Sequence, residues 1–286
     1  MALSTLIVYA LMRAGWVFNR EAGAIATFYG WLRGVLDFPP SALGFLRYVL
    51  VEVYTPSVVY TPPPAIYNPM LWTMSVELAG SALVFLFWYL SPSLARPRTV
   101  LAASAAVLSV LGSFYALFLL GMLLSQWRAD GRLQRWRADR RWQFLAPCLA
   151  LAAATGHAVL EEQSRGYRHA SLAAAAVLVG CCYTSRPLLA LFRSRLSRWL
   201  GNVSFPLYLT HFAVIVSFTS WCVVATAPLT PTKAWAVAAA SLAVALLVAA
   251  GFRPVERIAL RAVDARLLRL LHRPSADAPK ITLKSA

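Results

Sequence analysis

Two clusters of polar residues lie inside stretches that are otherwise apolar, and their residue types suit proton transfer. In Leu71-Trp72-Thr73-Met74-Ser75-Val76-Glu77-Leu78, helical spacing places Thr73, Glu77, Gly80 and Ser81 on one face, with a carboxylate two turns into the apolar run. In Leu200-Gly201-Asn202-Val203-Ser204-Phe205-Pro206-Leu207-Tyr208-Leu209-Thr210-His211, the positions Ser204, Tyr208 and His211 share a helical face. Pro206 is expected close to the helix start, where a missing N–H matters little. A histidine in such a stripe can accept a proton near neutral pH. Each cluster also has a purely structural reading: a Glu protonated or paired with a neighbouring Arg, and a His hydrogen-bonded to an adjacent helix. His157 and His169, near the ends of their segments, and His272 in the tail carry no comparable pattern. No His and carboxylate pair has metal-ligand spacing, and there is no phosphate-binding glycine loop. The cysteines Cys148, Cys181, Cys182 and Cys222 lie within or at the ends of apolar blocks, as packing residues do.

The elements that position these clusters follow from composition. Of 286 residues 59% are hydrophobic and 13% are charged, with a mean hydropathy of +0.62. A soluble domain carries about a quarter charged residues, and soluble helices show a polar face that 170–184 and 234–252 lack. Apolar blocks of spanning length recur, so the sequence predicts an all-α polytopic membrane helix bundle. The net charge of +16 does not point to nucleic acid. Most of the basic residues fall in 91–98, 127–142, 186–199 and 253–286, which alternate with apolar blocks as cytoplasmic loops do.

Spans are expected at 2–18, 70–90, 143–160, 170–186, 200–222 and 233–252, with 161–169 and 223–232 as outer loops. The first is read as a retained span, because an Arg interrupts it and no small-residue cleavage site follows. Between 20 and 69 the chain is aromatic and then proline-rich, at Pro56 and Pro62-Pro63-Pro64; 41–54 suits an interfacial or partly re-entrant helix. The 70–90 span starts after Asn68-Pro69 and ends on Phe87-Trp88-Tyr89, an aromatic belt. Basic residues on both flanks of 99–126 require an even number of crossings, which favours a short hairpin hinged at Gly112-Ser113 over a single span. The total is about eight transmembrane helices. Residues 1–260 form the membrane domain, and 261–286 a basic cytoplasmic tail containing an amphipathic helix suited to anionic lipid.

At its polar clusters the sequence resembles the acyltransferase-3 family of integral membrane O-acyltransferases. "LWTMSVEL" (71–78) is similar to that family's Trp-Ser/Thr-Leu-Ser-x-Glu motif, and "FLLGMLLSQW" (118–127) to its glycine-bearing span. "LGNVSFPLYLTHF" (200–212) resembles its Ser-Tyr-x-x-Tyr-Leu-x-His segment, and "RPVERIAL" (253–260) its Glu-containing stretch at the close of the last span. The resemblance implies about ten spans and transfer of an acyl group, commonly acetyl, from acyl-CoA to a hydroxyl of a sugar, glycan or other acceptor. Acyl-CoA is then a co-substrate, with no bound cofactor or metal; the other partners are the lipid bilayer and the acceptor. It also implies that Glu77, Trp72, Ser204, Tyr208 and His211 line a central cavity, with His211 and Glu77 catalytic and Trp72, Ser204 and Tyr208 binding substrate. Removing the hydroxyl proton needs a base, and the oxyanion needs a donor.

The sequence departs from the family pattern in three places. Ala79-Gly80 replaces the acidic-aromatic continuation after the Glu, and Phe205-Pro206 replaces Tyr-Ser. The family's first span carries an Arg-His pair, and its next connection an Arg-x-x-Arg group. Counting orientations back from the tail makes 2–18 the third span, so the sequence is expected to lack the first two. A non-catalytic remnant or scaffold of that family, or a glycan or small-molecule transporter, are the alternative functions; acyl transfer to an acceptor separates them from the enzyme.

Overall fold

The computed structural model describes residues 1–26, 30–55, 65–159 and 167–271. The proline-rich run within 56–64, the outer-loop residues 160–166 and the end of the tail with His272 and Arg273 lie outside the described residues. Those described residues form helices and no strand. In chain order the helices are α1 (Ala2–Arg13), α2 (Asn19–Ile25), α3 (Gly30–Gly34), α4 (Ala42–Leu50), α5 (Thr73–Leu90), α6 (Pro97–Val110) and α7 (Tyr115–Ala129). They continue with α8 (Arg132–Ala138), α9 (Arg140–Val159), α10 (Tyr167–Thr184), α11 (Arg186–Phe192), α12 (Arg195–Val214), α13 (Ser220–Ala225) and α14 (Pro231–Leu271). The chain divides into two units, one of residues 1–15 and 34–201, the other of residues 16–33 and 202–286.

Among the described residues, three helical stretches are long and apolar enough to cross a membrane: Pro69–Ser93, Arg195–Ala225 and Pro231–Val263. Helices α10 and α11 make a fourth if counted as one span, although they are bent by 92° at Ser185. Length and composition therefore support fewer crossings than the sequence pattern suggests. Helix α1 covers only the first part of 2–18, because Gly15 takes a left-handed φ of +70° and its amide bonds back to the Met12 carbonyl at 3.2 Å. The helix in 41–54 also stops early, at Leu50, and resumes as a 3-10 turn over Glu52–Tyr54.

In the first unit an aromatic cluster surrounds buried Tyr67. Its ring packs against Tyr9, Phe38, Phe45 and Tyr48, and its hydroxyl donates to the Ser41 carbonyl at 3.0 Å. The adjoining Asn68 starts the longest apolar stretch of this unit. Its side chain accepts from the Met70 amide at 3.1 Å while Pro69 sits where no N–H is needed. The start expected after Asn68-Pro69 is the one observed. Helices α5, α6 and α7 then pack around Leu101, Ala105 and Leu119.

Helices α6 and α7 form the hairpin, turning at Gly112 with φ +65°. The Ser113 amide bonds to the Leu108 carbonyl at 2.9 Å and the Gly112 amide to Ser109 at 3.0 Å, a Schellman motif. The far ends are tied by Arg98, which donates to both Asp130 carboxylate oxygens at 2.9 Å. His169 donates its Nε2 proton to the Val110 carbonyl at 2.9 Å, which gives this histidine a capping role at the end of α6. Buried Cys181 packs with Ala146 and Ala150 between α9 and α10, in keeping with a small packing residue.

The 92° bend after α10 is held by side chains of the segment before and within α9. The Gln143 amide donates to the carbonyls of Trp136, Arg137 and Thr184, at 3.3, 3.2 and 3.3 Å. Its oxygen accepts from the Arg186 amide at 2.6 Å. Arg137 donates to the Tyr183 carbonyl, and Trp142 to the Thr184 hydroxyl. The backbone groups freed by the break are thus satisfied within the protein, as a non-aqueous setting requires.

In the second unit α2 packs on α13 and on the segment before it, with the Phe18 amide bonded to the Val216 carbonyl at 2.9 Å. Asn19 of α2 donates to the Leu32 carbonyl of α3 at 2.9 Å. Between α12 and α13 the helix widens to a π-turn over Ile215–Thr219. Pro206 lies in the interior of α12 rather than near its start, because the helix begins eleven residues earlier in the chain, at Arg195. It withdraws the amide that an unbroken helix would offer to the carbonyl of residue 202. Helix α14 runs without a break through Pro254 to Leu271, so the first part of the basic tail continues the last apolar helix.

Candidate active site

Ser204, Tyr208 and His211 are brought together in the second unit, on the face of α12 directed at α14. They line a groove of ≈ 460 Å³ with Leu207, Val214, Ile215 and Thr219 on one wall and Ser241, Leu242 and Ala245 on the other. The spacing expected from the sequence therefore produces one polar wall despite the interior proline. Tyr208 and His211 have ring centroids 6.2 Å apart and an interplanar angle of 37°.

His211 is fixed by its own helix. Nδ1 lies 2.9 Å from the Leu207 carbonyl. A carbonyl only accepts, so Nδ1 carries the proton in this bond and Nε2 is left as the basic nitrogen of the neutral ring. Among the described residues no carboxylate contacts the ring, and the Leu207 carbonyl alone sets a tautomer suited to proton abstraction.

Two further groove residues, Thr219 and Ser241, have side-chain oxygens that are shielded from solvent and have no hydrogen-bond partner among the described residues. A hydroxyl inside an apolar helix ordinarily bonds back to a carbonyl one turn earlier, as Ser217 does to Ala213 at 2.6 Å and Thr210 to Pro206 at 2.8 Å. A shielded hydroxyl without a partner disfavours the fold, and rotation of either side chain toward the groove would let it donate to a ligand oxygen there. Sequence reasoning passed over both. The signal for Ser241 was present: it is the lone hydroxyl in the apolar stretch 234–252. Thr219 carried no such signal, since only the wider winding of the π-turn keeps it on the His211 face.

Glu77 and Trp72 belong to the first unit and are described within it. Glu77 is exposed, and among the described residues it forms no hydrogen bond or ion pair. Trp72 is 58% exposed, with its ring centroid 6.0 Å from that of Phe114. The stripe Thr73, Glu77, Gly80 and Ser81 is not a uniformly buried face, for only Gly80 among them is buried. A Cβ on Gly80 would stand 2.4 Å from the Phe118 ring. The glycine is therefore what lets α7 approach α5, and it joins the segment after "LWTMSVEL" to the first residue of "FLLGMLLSQW".

These features define a protein whose described residues are all-helical, with membrane-spanning helices and a histidine-lined groove. The chain matches the acyltransferase-3 family model, described as an acyltransferase domain, over residues 2–252, and it belongs to that family. No curated protein and no solved structure matches it.

Proposed function

We propose that the protein is a membrane O-acyltransferase that moves an acyl group, acetyl in the simplest case, from acyl-CoA to a hydroxyl of a sugar, glycan or other acceptor. The observation that carries this is the groove, in which a histidine with a free Nε2 stands beside two unpartnered hydroxyls. Membership of an acyltransferase family supports the reaction type.

In the proposed reaction His211 Nε2 takes the proton of the acceptor hydroxyl as its oxygen attacks the thioester carbonyl. Negative charge gathers on the former carbonyl oxygen. Hydroxyl donors on the groove wall, from Thr219, Ser241 or Tyr208, are suited to receive it. The carbon–sulfur bond then breaks, and the proton on His211 passes to the departing thiolate, giving an ester and free CoA. Ser204 orients the acceptor. Glu77 and Trp72 are assigned to the site by motif resemblance, Glu77 as a second catalytic group and Trp72 as a binding surface. In this reading the apolar surfaces of all the helical blocks face lipid, giving about eight crossings with the C-terminus cytoplasmic.

The test uses the full chain in lipid nanodiscs with radiolabelled acetyl-CoA and a panel of hydroxyl acceptors. Label should move to an acceptor, and His211→Ala should lower turnover by about 10²–10⁴-fold, the usual contribution of a general base, with expression and elution profile retained. No transfer and no acyl-CoA binding by the intact protein would refute the assignment. Parallel loss of activity and folding in His211→Ala would make the histidine structural.

A further inference from the structure

We propose that the first unit holds a specific site for an anionic phospholipid, with an acyl chain between α7 and α10 and the phosphate against Arg132 and Arg135 of α8. The two halves of the site are contiguous. An apolar groove of ≈ 280 Å³ runs along Leu120, Gly121 and Leu124 of α7 and Ala176 and Gly180 of α10. It ends at Trp127, Leu133 and Trp136, and those three residues also line a hollow of ≈ 380 Å³ whose other walls are Arg132 and Arg135. A chain entering from the basic hollow therefore passes two indole rings and continues along an apolar trough.

The trough is open space rather than a close-packed seam. A Cβ built on Gly121 or on Gly180 meets nothing within 4 Å, so the two glycines leave room that neighbouring side chains do not fill. The charge balance at the mouth favours an anion. Asp130 is engaged by both terminal nitrogens of Arg98, and Arg132 stands at 3.9 Å from the same carboxylate. Among the described residues, Arg135 has no carboxylate partner and is exposed, as is Arg132. Tryptophans beside arginines are a pairing suited to the headgroup level, the ring reaching the apolar boundary and the guanidinium the phosphate. A phospholipid combines the required parts in one molecule: an apolar chain and an anionic phosphate a short distance from it. This site is in the first unit and does not depend on the proposed chemistry of the His211 groove.

The test is quenching of tryptophan fluorescence in the full chain, purified in mild detergent and titrated with phosphatidylglycerol carrying brominated acyl chains. Brominated phosphatidylcholine is the comparison. A saturable component is expected with phosphatidylglycerol, with an affinity at least tenfold above that for phosphatidylcholine. The double variant Arg132→Ala/Arg135→Ala should weaken it by about thirtyfold, two cationic contacts at a membrane surface. Gly180→Leu places a side chain in the trough and should remove the saturable component; Gly121→Leu serves the same purpose if the first variant elutes as aggregate. Equal quenching by the two lipids, or unchanged quenching in the arginine variant, overturns the proposal. Competitive displacement of the brominated lipid by acetyl-CoA overturns it too, because the hollow would then belong to the thioester donor.

Discussion

Ser241→Ala should make the protein more stable and less active, and the opposite signs are what give the experiment its force. In the structure the Ser241 oxygen is shielded from solvent and has no hydrogen-bond partner among the described residues. A buried hydroxyl without a partner disfavours the fold by about 1–3 kcal/mol. Alanine removes that term and is also the better helix former, by a few tenths of a kcal/mol on the usual scale. The cavity left by one oxygen is small, so a net gain of about 1 kcal/mol is expected. If the hydroxyl donates to charge that develops during acyl transfer, its loss should lower kcat by up to about 10²–10³-fold. Ser217→Ala is the matched control, since its hydroxyl is bonded to the Ala213 carbonyl at 2.6 Å. That variant should be neutral or lose about 1 kcal/mol. Both quantities are measurable on nanodisc samples, stability as reversible unfolding by denaturant and turnover with radiolabelled acetyl-CoA. A Ser241→Ala protein that loses stability and turnover together would refute the reasoning, because the hydroxyl would then have been serving the fold.

Thr219→Val, which removes the second orphaned hydroxyl at nearly constant volume, should behave as Ser241→Ala does, with turnover falling and the unfolding midpoint unchanged or raised. Gly80→Ala should destabilise by about 1–3 kcal/mol through overpacking against Phe118. Combining it with Phe118→Leu should recover part of the loss, and strict additivity of the two effects would exclude the contact as the cause. Gln143→Ala strips partners from the Thr184 carbonyl and the Arg186 amide, so a loss of about 1–3 kcal/mol is expected in the same unfolding measurement. A value near zero would show that the 92° bend is held by other groups.

The parts of the fold legible in the sequence are those governed by local chemistry. Asn68-Pro69 carries its own cap and its own missing amide, and the helix begins there. Gly112 is the one residue in its stretch that enters a left-handed turn without strain, and the hairpin closes on it. Ser204, Tyr208 and His211 fall on one wall because helical periodicity survives Pro206. The parts that were not legible depend on tertiary terms. Where α12 begins is set at Arg195, in a basic stretch that reads as a loop, and this moves Pro206 from the first turn to the interior. The extension of α14 past Arg253 runs through residues whose charge suggests a separate tail. The burial of Gly80 follows from the placement of Phe118, which lies 38 positions beyond it in the chain. The Ser241 oxygen is an orphan because its side chain does not bond back to a carbonyl of its own helix, which residue type does not encode.

His211 sits between two interruptions of a single helical rod. Pro206 precedes it and removes one rung of the ladder. The π-turn at Ile215–Thr219 follows it and respaces the next rungs. Stress applied to such a rod concentrates where rungs are missing or respaced, and the intervening segment travels as a stiff splint. The Nδ1 bond to Leu207 lies wholly within that splint, so flexing at either joint carries the ring and its tautomer along intact.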